Sequence, residues 1–429
     1  MSLRAIIASV LAANTASHWL SSMQAIHDND SVASANTKPL VIAIGKAAAS
    51  MVAALNRDSY FDGRCIIPAH SPLPENFPAA VTLLRSSHPL PSTASLQATH
   101  RLKEFITRHP HRPLHFFISG GTSALIEEPI NGLTIAQLNQ LSAALISAEI
   151  DIAQINHVRQ RLSQIKAGGF LSWIDRQYAL DHDLPAIKQW TLSDVPGDDP
   201  SLVGSGLLFA PSLQQTVAPN IVARLTQLMQ DRAWPSPLCR LLTQRLIEPP
   251  KTQKRSSARA KVGHYLVGNS ARMAEAMAAA CAKKWPNTLI ECQEVNESME
   301  AFVQRCLTLL SRKNRVFIFH GEIHLSIIDH PGCGGRNSHL ALRMAKHLAE
   351  YNAQQPLSAE FAAVATDGDD GNTRAAGAIV DQGTWLKLDR PERALAEFDS
   401  FSVLQIIGAT LTHTAGLNNV RDIYLLKIN

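Results

Sequence analysis

The chain predicts an α/β fold of two domains, and three observations carry that reading. Apolar runs of strand length recur along it, each ends in a turn of small residues, and each turn opens onto a helical pattern. The alternation breaks once, over residues 248–261, where prolines, serines and basic residues stand with almost nothing apolar, and it restarts at 265–267. The domains expected are therefore 1–247 and 262–429, joined by a linker at 248–261.

The first strand, at 40–44, ends in Gly45 and Lys46 ahead of an alanine-rich helix. The run at 114–118 repeats the plan and ends in Ser119, Gly120, Gly121, Thr122 and Ser123. A lysine after one strand and a glycine turn after another stand where open α/β sheets place their chemistry. Unsatisfied backbone N–H groups in such turns draw phosphate oxygens, a tight strand-to-helix connection being the plainer alternative. The turn at Lys46 is not a P-loop: Leu40 stands where its first glycine belongs, and Ala47 where serine or threonine should follow the lysine.

With 45% apolar and 18% charged residues in 429, the chain has the make-up of a folded globular protein. A formal charge of +4 is small for this length and the basic residues are dispersed, so nucleic acid is not expected as a partner. The six cysteines show no CxxC pair and no regular spacing, which argues against a zinc site or disulfide framework and for a reduced, cytoplasmic setting. Asn14, Thr15, Ser17 and His18 interrupt the apolar residues of 1–20. That stretch reads as one amphipathic helix rather than a leader or a membrane span, and no membrane partner is expected.

Between these landmarks the order is regular. Short strands are expected at 64–67 and 81–84, with a proline-rich loop between them and Ser87, His88 and Pro89 closing the second. Ser92 caps a helix to about 106, and Thr134 with Gln137, then Asp151 with Gln154, look like capping boxes of two more. The last of these, running to about 165, carries Arg159; Lys166 follows seven positions on, two turns later and on the same face. Alone that face is a solvated basic surface; beside a phosphate loop it becomes an anion wall. A strand at 188–192 ends in a proline and glycine turn that holds Asp194, Asp198 and Asp199. Three carboxylates so close repel unless solvent or a cation screens them, and Mg²⁺ needs only one or two, so the turn is either an Asp-rich cap or a metal ligand.

Helices are expected at 217–229 and 238–246, and beyond the linker at 271–283 and 299–311. A strand at 316–319 leads to Gly321, Glu322 and a hairpin-like strand at 325–328. His320 and His324 lie four apart but lack a third metal ligand. Gly334 and Gly335 then precede Arg336, Asn337 and a helical pattern to 348, a second anion-ready site, since arginine holds phosphate oxygens bidentately. A strand at 361–365 ends in Thr366, Asp367, Gly368, Asp369 and Asp370, and closing strands are expected at 378–380 and 423–428.

This ordered set of turns resembles one family, the glycerate 2-kinases of the MOFRL type. The stretches that carry the resemblance are AIGKAA around Lys46, SSHPLP around His88, SGGTSAL around Ser119, INHVRQRLSQIKAGG over 155–169, SDVPGDDPS around Asp194, GCGGRNSHLAL around Arg336, ATDGDDGNTRAAGAIVD around Asp367, and DIYLLKI at the end. The resemblance implies two Rossmann-like three-layer α/β domains with mostly parallel sheets and an interdomain cleft. It implies transfer of phosphate from ATP, with Mg²⁺, to a small 2-hydroxy acid, D-glycerate giving 2-phosphoglycerate. Lys46 and Arg336 match the residues tied to catalysis. Phosphate or nucleotide is then expected on Ser119, Gly120, Gly121, Thr122, Ser123, Gly334, Gly335 and Asn337, the acid on His88, Arg159, Lys166 and Glu322, and the metal on Asp194, Asp198 or Asp367. ATP and the hydroxy acid are the expected partners, and a homodimer is held open as the assembly.

Several positions depart from the family pattern. Thr122 replaces a third glycine and adds a side chain where backbone would approach phosphate; residues 413–418 replace a glycine- and threonine-rich loop ahead of Asn419 and Val420. His320 replaces one of a glycine pair, and Arg374 stands where an acidic residue is common. These changes keep a second reading open, a homologue that binds a nucleotide or small acid as a regulator. A third, a hydroxypyruvate reductase, lacks GxGxxG after the first strand and the acidic residue about twenty positions on that would hold a ribose.

Overall fold

The computed structural model describes residues 2–27, 38–55, 61–110, 112–148, 150, 152–178, 185–209, 217–247, 261–326, 331–413 and 418–429. Asp151 and nearly all of the expected linker lie outside them. By contact the chain forms two compact units, one of Asp28–Thr191 with Gly197–Leu266, the other of Met1–His27, Leu192–Pro196 and Val267–Asn429.

The first unit is built on a six-stranded sheet of β1 (Leu40–Ile44), β2 (Asp62–Pro68), β3 (Val81–Ser86), β4 (Leu114–Ile118), β5 (Ile187–Leu192) and β6 (Val262–Gly268). Their order is β3-β2-β1-β4-β5-β6, and β1 pairs in parallel with both β2 and β4. All five residues of β1 are buried, as a central parallel strand covered on both faces requires, which is why it reads as an unbroken apolar run. The chain leaves β1 for β2 on one side and returns to β4 on the other, so the strand order reverses between β1 and β4. In open α/β sheets that reversal is where ligands bind. Four helices, Ile135–Ile146, Ile152–Arg161, Pro219–Asp231 and Ser236–Ile247, contribute Leu141, Leu145, Val158, Leu225 and Leu246 to a core of their own.

The second unit holds β7 (Leu289–Ser298), β8 (Arg315–His324), β9 (Ala359–Ala365), β10 (Gly377–Asp381), β11 (Thr410–Leu411) and β12 (Asp422–Ile428), ordered β11-β10-β9-β12-β8-β7. The fold is α/β as expected, but this sheet is not mostly parallel. Only β7 and β8 pair in parallel; β12 runs antiparallel to β8 and β9, and β10 antiparallel to β9 and β11. The link from β9 to β10, residues 366–376, is too short for the crossover a parallel pair needs. Strand β8 runs unbroken through Gly321 and Glu322, with no hairpin between His320 and His324. Those two histidines bond elsewhere, His320 to Ser270 and His324 to Asn296. A polar strand at the sheet edge, β7, escapes sequence patterning because exposed edges favour charge over alternation.

The expected N-terminal helix is two, Leu3–Ala13 and Ala16–His27. Asn14 ends the first, its Nδ2 donating to the Val10 carbonyl at 2.9 Å, and Thr15 caps the next, its Oγ1 accepting from the His18 N–H at 3.2 Å. Both belong with residues 267–429 rather than with the domain expected at 1–247. Trp19 packs on Gly268 so closely that an added Cβ would lie 2.2 Å from its ring, and Arg4 donates to the carbonyls of Thr410 and Gly408. Among the described residues no helix is long and apolar enough to cross a membrane.

Candidate active site

In the parallel-sheet unit three turns meet at the ends of β1, β3 and β4. Gly45 takes φ +134°, and a Cβ there would lie 2.1 Å from Ser119 Oγ, so only glycine lets the two strand ends close together. The buried Ser119 hydroxyl accepts the Ala47 N–H at 3.1 Å, and the Lys46 N–H donates to the Gly120 carbonyl at 2.8 Å. A Cβ on Gly121 would lie 3.2 Å from both Lys46 Cγ and His88 Cδ2, which puts those side chains beside the turn. The N–H groups of Gly120 and Gly121 donate to no acceptor among the described residues. Open backbone donors beside a lysine side chain make an anion cradle.

Thr122 does not intrude on that cradle. It is buried, and its Oγ1 lies 2.8 Å from the Ile44 carbonyl and 2.7 Å from the Ser119 carbonyl, tying β1 to β4. Ser123 is engaged with Ser205, 2.7 Å between hydroxyl oxygens.

Lys166 and Arg159 do not share a helical face, because the helix ends at Arg161 and Lys166 lies beyond it. Glu127 brings them together instead. Lys166 donates to Glu127, and both side chains are fully buried. Burial pushes the Lys166 ammonium down to about 8 against the pull of the Glu127 carboxylate. Arg159 feels the same carboxylate, yet its Nη2 is buried without a hydrogen-bond partner among the described residues. The lysine expected to hold the acid is thus committed to a structural pair, and the arginine keeps spare capacity. Glu127 went unnoticed in the sequence, although two carboxylates after the apolar 124–126 were a signal.

In the mixed-sheet unit, Arg336 opens the helix Arg336–Gln354. Its Nε donates to Asp422 Oδ2 at 2.8 Å, its Nη2 lies 2.7 Å from the same oxygen as an ion pair, and its Nη1 donates to Glu322. Tyr424 donates its hydroxyl to the same Asp422 oxygen at 3.0 Å. Burial works against the guanidinium charge, but Asp422 and Glu322 outweigh it and hold Arg336 well above its ordinary range. Burial also pushes the Asp422 carboxyl up to about 6, although Arg336 pulls it down. Glu322 is therefore a partner of Arg336, and Asp422, overlooked in the sequence, is its main anchor.

The second glycine turn is not open to phosphate. Asp370 accepts the N–H groups of Asn337 and Ser338 at 2.8 and 2.7 Å, Asn372 Oδ1 accepts that of Gly334 at 2.9 Å, and Ser338 Oγ that of Gly335 at 3.0 Å. The chain's own carboxylate fills the helix N-terminus where an external anion was expected.

Asp194 follows β5, Asp198 sits at φ +55° in the turn beyond it, and Asp367 follows β9. Among the described residues no three His, Cys, Asp or Glu side chains gather as a metal cage. Partly exposed carboxylates of this kind suit Mg²⁺, which takes one or two and fills its remaining positions with phosphate oxygens and water. A surface groove of about 540 Å³ along His100, Lys103, Arg108 and Trp173 includes none of the expected site residues, and its cations are paired, Lys103 with Glu128 and Arg108 with Glu104.

Comparison with known proteins agrees with this frame. Residues 2–236 match the model of a domain of unknown function, DUF4147, and residues 315–422 match that of the MOFRL family. The chain is 27% identical over 358 residues to the D-glycerate 2-kinase of Thermotoga maritima, covering 80% of this chain and 79% of that one. It is 28% identical to an Agrobacterium vitis protein provisionally named a hydroxypyruvate reductase, over 91% of this chain and 99% of that one. The crystal structure of a glycerate kinase from Thermotoga maritima shares the fold, with a TM-score of 0.72 at 23% identity over 99% of this chain and 98% of that one. With one model spanning more than half its length and the other following in order, the chain belongs to the DUF4147 and MOFRL family of glycerate kinases.

Proposed function

We propose that this chain is a kinase that moves the γ-phosphoryl group of ATP onto the hydroxyl of a small 2-hydroxy acid, D-glycerate first among them, to give 2-phosphoglycerate and ADP. The observation that carries the reading is the open pair of N–H groups at Gly120 and Gly121 beside Lys46, at the point where the strand order reverses. Phosphoryl transfer asks a protein mainly to position its reactants and to offset charge. Lys46 offsets charge on the migrating group, the Gly120 and Gly121 turn receives phosphate oxygens, and His88 and Arg159 receive the acid. Arg336, held in one orientation by Asp422 and Glu322, supplies a guanidinium of the kind that takes phosphate oxygens. Mg²⁺ neutralises the nucleotide phosphates when bound, and Asp194, Asp198 and Asp367 are the carboxylates of the right kind to hold it.

Two other readings meet particular observations. The closed turn at Gly334 and Gly335 favours a homologue that binds without turnover. Against a reductase, β2 ends at Pro68 and runs into Ala69 and His70, with no carboxylate there to hold a ribose. The test is ADP release from ATP and Mg²⁺ over D-glycerate, L-glycerate, tartronate and glycolate, with NADH oxidation by hydroxypyruvate as the control arm. ADP formed with D-glycerate supports the kinase. Nucleotide binding without ADP from any acid, or NADH consumption in its place, overturns it.

A further inference from the structure

One buried cation of the mixed-sheet unit has no place in the scheme above. Arg421 directly precedes β12, and its side chain is only 4% exposed. Its Nη2 donates to Glu294 on the edge strand β7 at 2.8 Å, while Nε and Nη1 are buried and meet no acceptor among the described residues. Two positions earlier, the amide nitrogen of buried Asn419 is unmatched in the same way. Buried donors without acceptors are uncommon because each costs free energy, and a charged one costs most. Two such nitrogens sit on one buried guanidinium, which is capacity an external oxyanion would use, and Asn419 offers a third two positions away in the chain.

The backbone is fixed to present them. Arg421 takes φ +67°, a region that long side chains rarely adopt. Thr366 grips its carbonyl twice, by N–H at 3.3 Å and by Oγ1 at 2.7 Å, and the same Oγ1 accepts the Val420 N–H at 2.9 Å. Because β12 runs antiparallel to β8 and β9, its first residues lie at the ends of those strands, near Glu322 and Asp367. At that end of the sheet Arg336 is paired with two carboxylates, Asp422 and Glu322, whereas Arg421 spends one nitrogen on a half-exposed glutamate.

We propose that Arg421 and Asn419 form an oxyanion-binding site that takes a phosphoryl or carboxylate group. The proposal rests on the kinase reading for which anion binds, a nucleotide phosphate or the acid's carboxylate, but not for the binding itself. Its test is calorimetric titration of the purified full chain with inorganic pyrophosphate, ADP and D-glycerate, in the wild type, Arg421→Leu and Glu294→Gln. Arg421→Leu weakens pyrophosphate and ADP by about tenfold or more if phosphate is the anion, or D-glycerate alone if carboxylate is, the range expected for charge-assisted bonds. Its melting temperature without ligand is no lower than the wild type's, because two buried nitrogens without acceptors have gone. Glu294→Gln removes the charge that competes for the Arg421 guanidinium and strengthens the same probe.

Affinities unchanged in both variants for all three probes overturn the proposal. So does a lower melting temperature with affinities kept, the mark of an arginine that only holds the fold. Should Arg421→Leu fail to fold, Glu294→Gln decides alone, and unchanged affinities there overturn the site. A wild type that binds pyrophosphate but releases no ADP with any acid removes the kinase reading and leaves the oxyanion site standing.

Discussion

Two glycine turns, one in each unit, look alike in sequence and differ in what their donors meet. After β4, the N–H groups of Gly120 and Gly121 reach no acceptor among the described residues, and Lys46 stands beside them. Ahead of Arg336, the donors of Gly334, Gly335, Asn337 and Ser338 are all taken, two of them by the Asp370 carboxylate. A glycine turn foretells donors, then, and whether they are available depends on acceptors brought from elsewhere in the chain. The same holds for cations: Lys166 and Arg336 are matched by carboxylates, while Arg159 and Arg421 keep nitrogens without partners.

The comparison breaks most readily at the open turn. Lys46→Ala should cut ADP release by about 10⁴-fold with the melting temperature kept, since the amine offsets charge on the transferred group; a loss under threefold would remove Lys46 from the mechanism. Glu127→Gln strands a buried ammonium and should lower unfolding free energy by about 3 kcal/mol in urea titrations, with the double variant Glu127→Leu/Lys166→Met recovering most of it. Equal losses in the single and double variants would show that the pair is not the unit of stability.

Asp422→Asn should lower kcat by about tenfold or more, because Arg336 loses the charged half of its anchor, with a smaller change in KM. The pH profile separates this from simple damage. A carboxyl raised to about 6 is protonated below that value, and the ionised form is the one that orients Arg336, so wild-type kcat should fall as pH drops through about 6. The variant should lack that acid limb, and an identical limb in both would assign it to another group. The smallest effect belongs to the closed turn: Asp370→Asn should cost about 1 kcal/mol, the worth of a helix cap, with kcat within about twofold of wild type. A loss of activity beyond that would mean the turn takes part in chemistry.

Much of the open turn was legible because its signals are local. The apolar run at 40–44 leads straight into Gly45 and Lys46, and the SGGTS turn directly follows its own strand, so each half reads within a few residues, and the resemblance to a family extended that reading over the whole chain. The matched donors were not legible because their carboxylates come from afar: Glu127 is 39 positions from Lys166, Asp370 is 33 from Asn337, and Asp422 is 86 from Arg336. Thr122 looked obstructive by type, and only the position of the Ile44 carbonyl shows its hydroxyl turned inward. The antiparallel character of the second sheet was hidden for a related reason. Its last strand enters between two earlier ones, and no window of sequence contains all three.

The helices at 3–27 carry a consequence for how the molecule is made. Trp19 packs on Gly268, Arg4 bonds a carbonyl 406 positions away, and Asn14 is met by Asn418, so these helices find their partners only in the second half of the chain. During synthesis from the N-terminus, Leu3, Ile7 and Trp19 therefore emerge from the ribosome long before their partners exist. A nascent chain of this kind invites a chaperone to shield residues 3–27 until their partners have emerged.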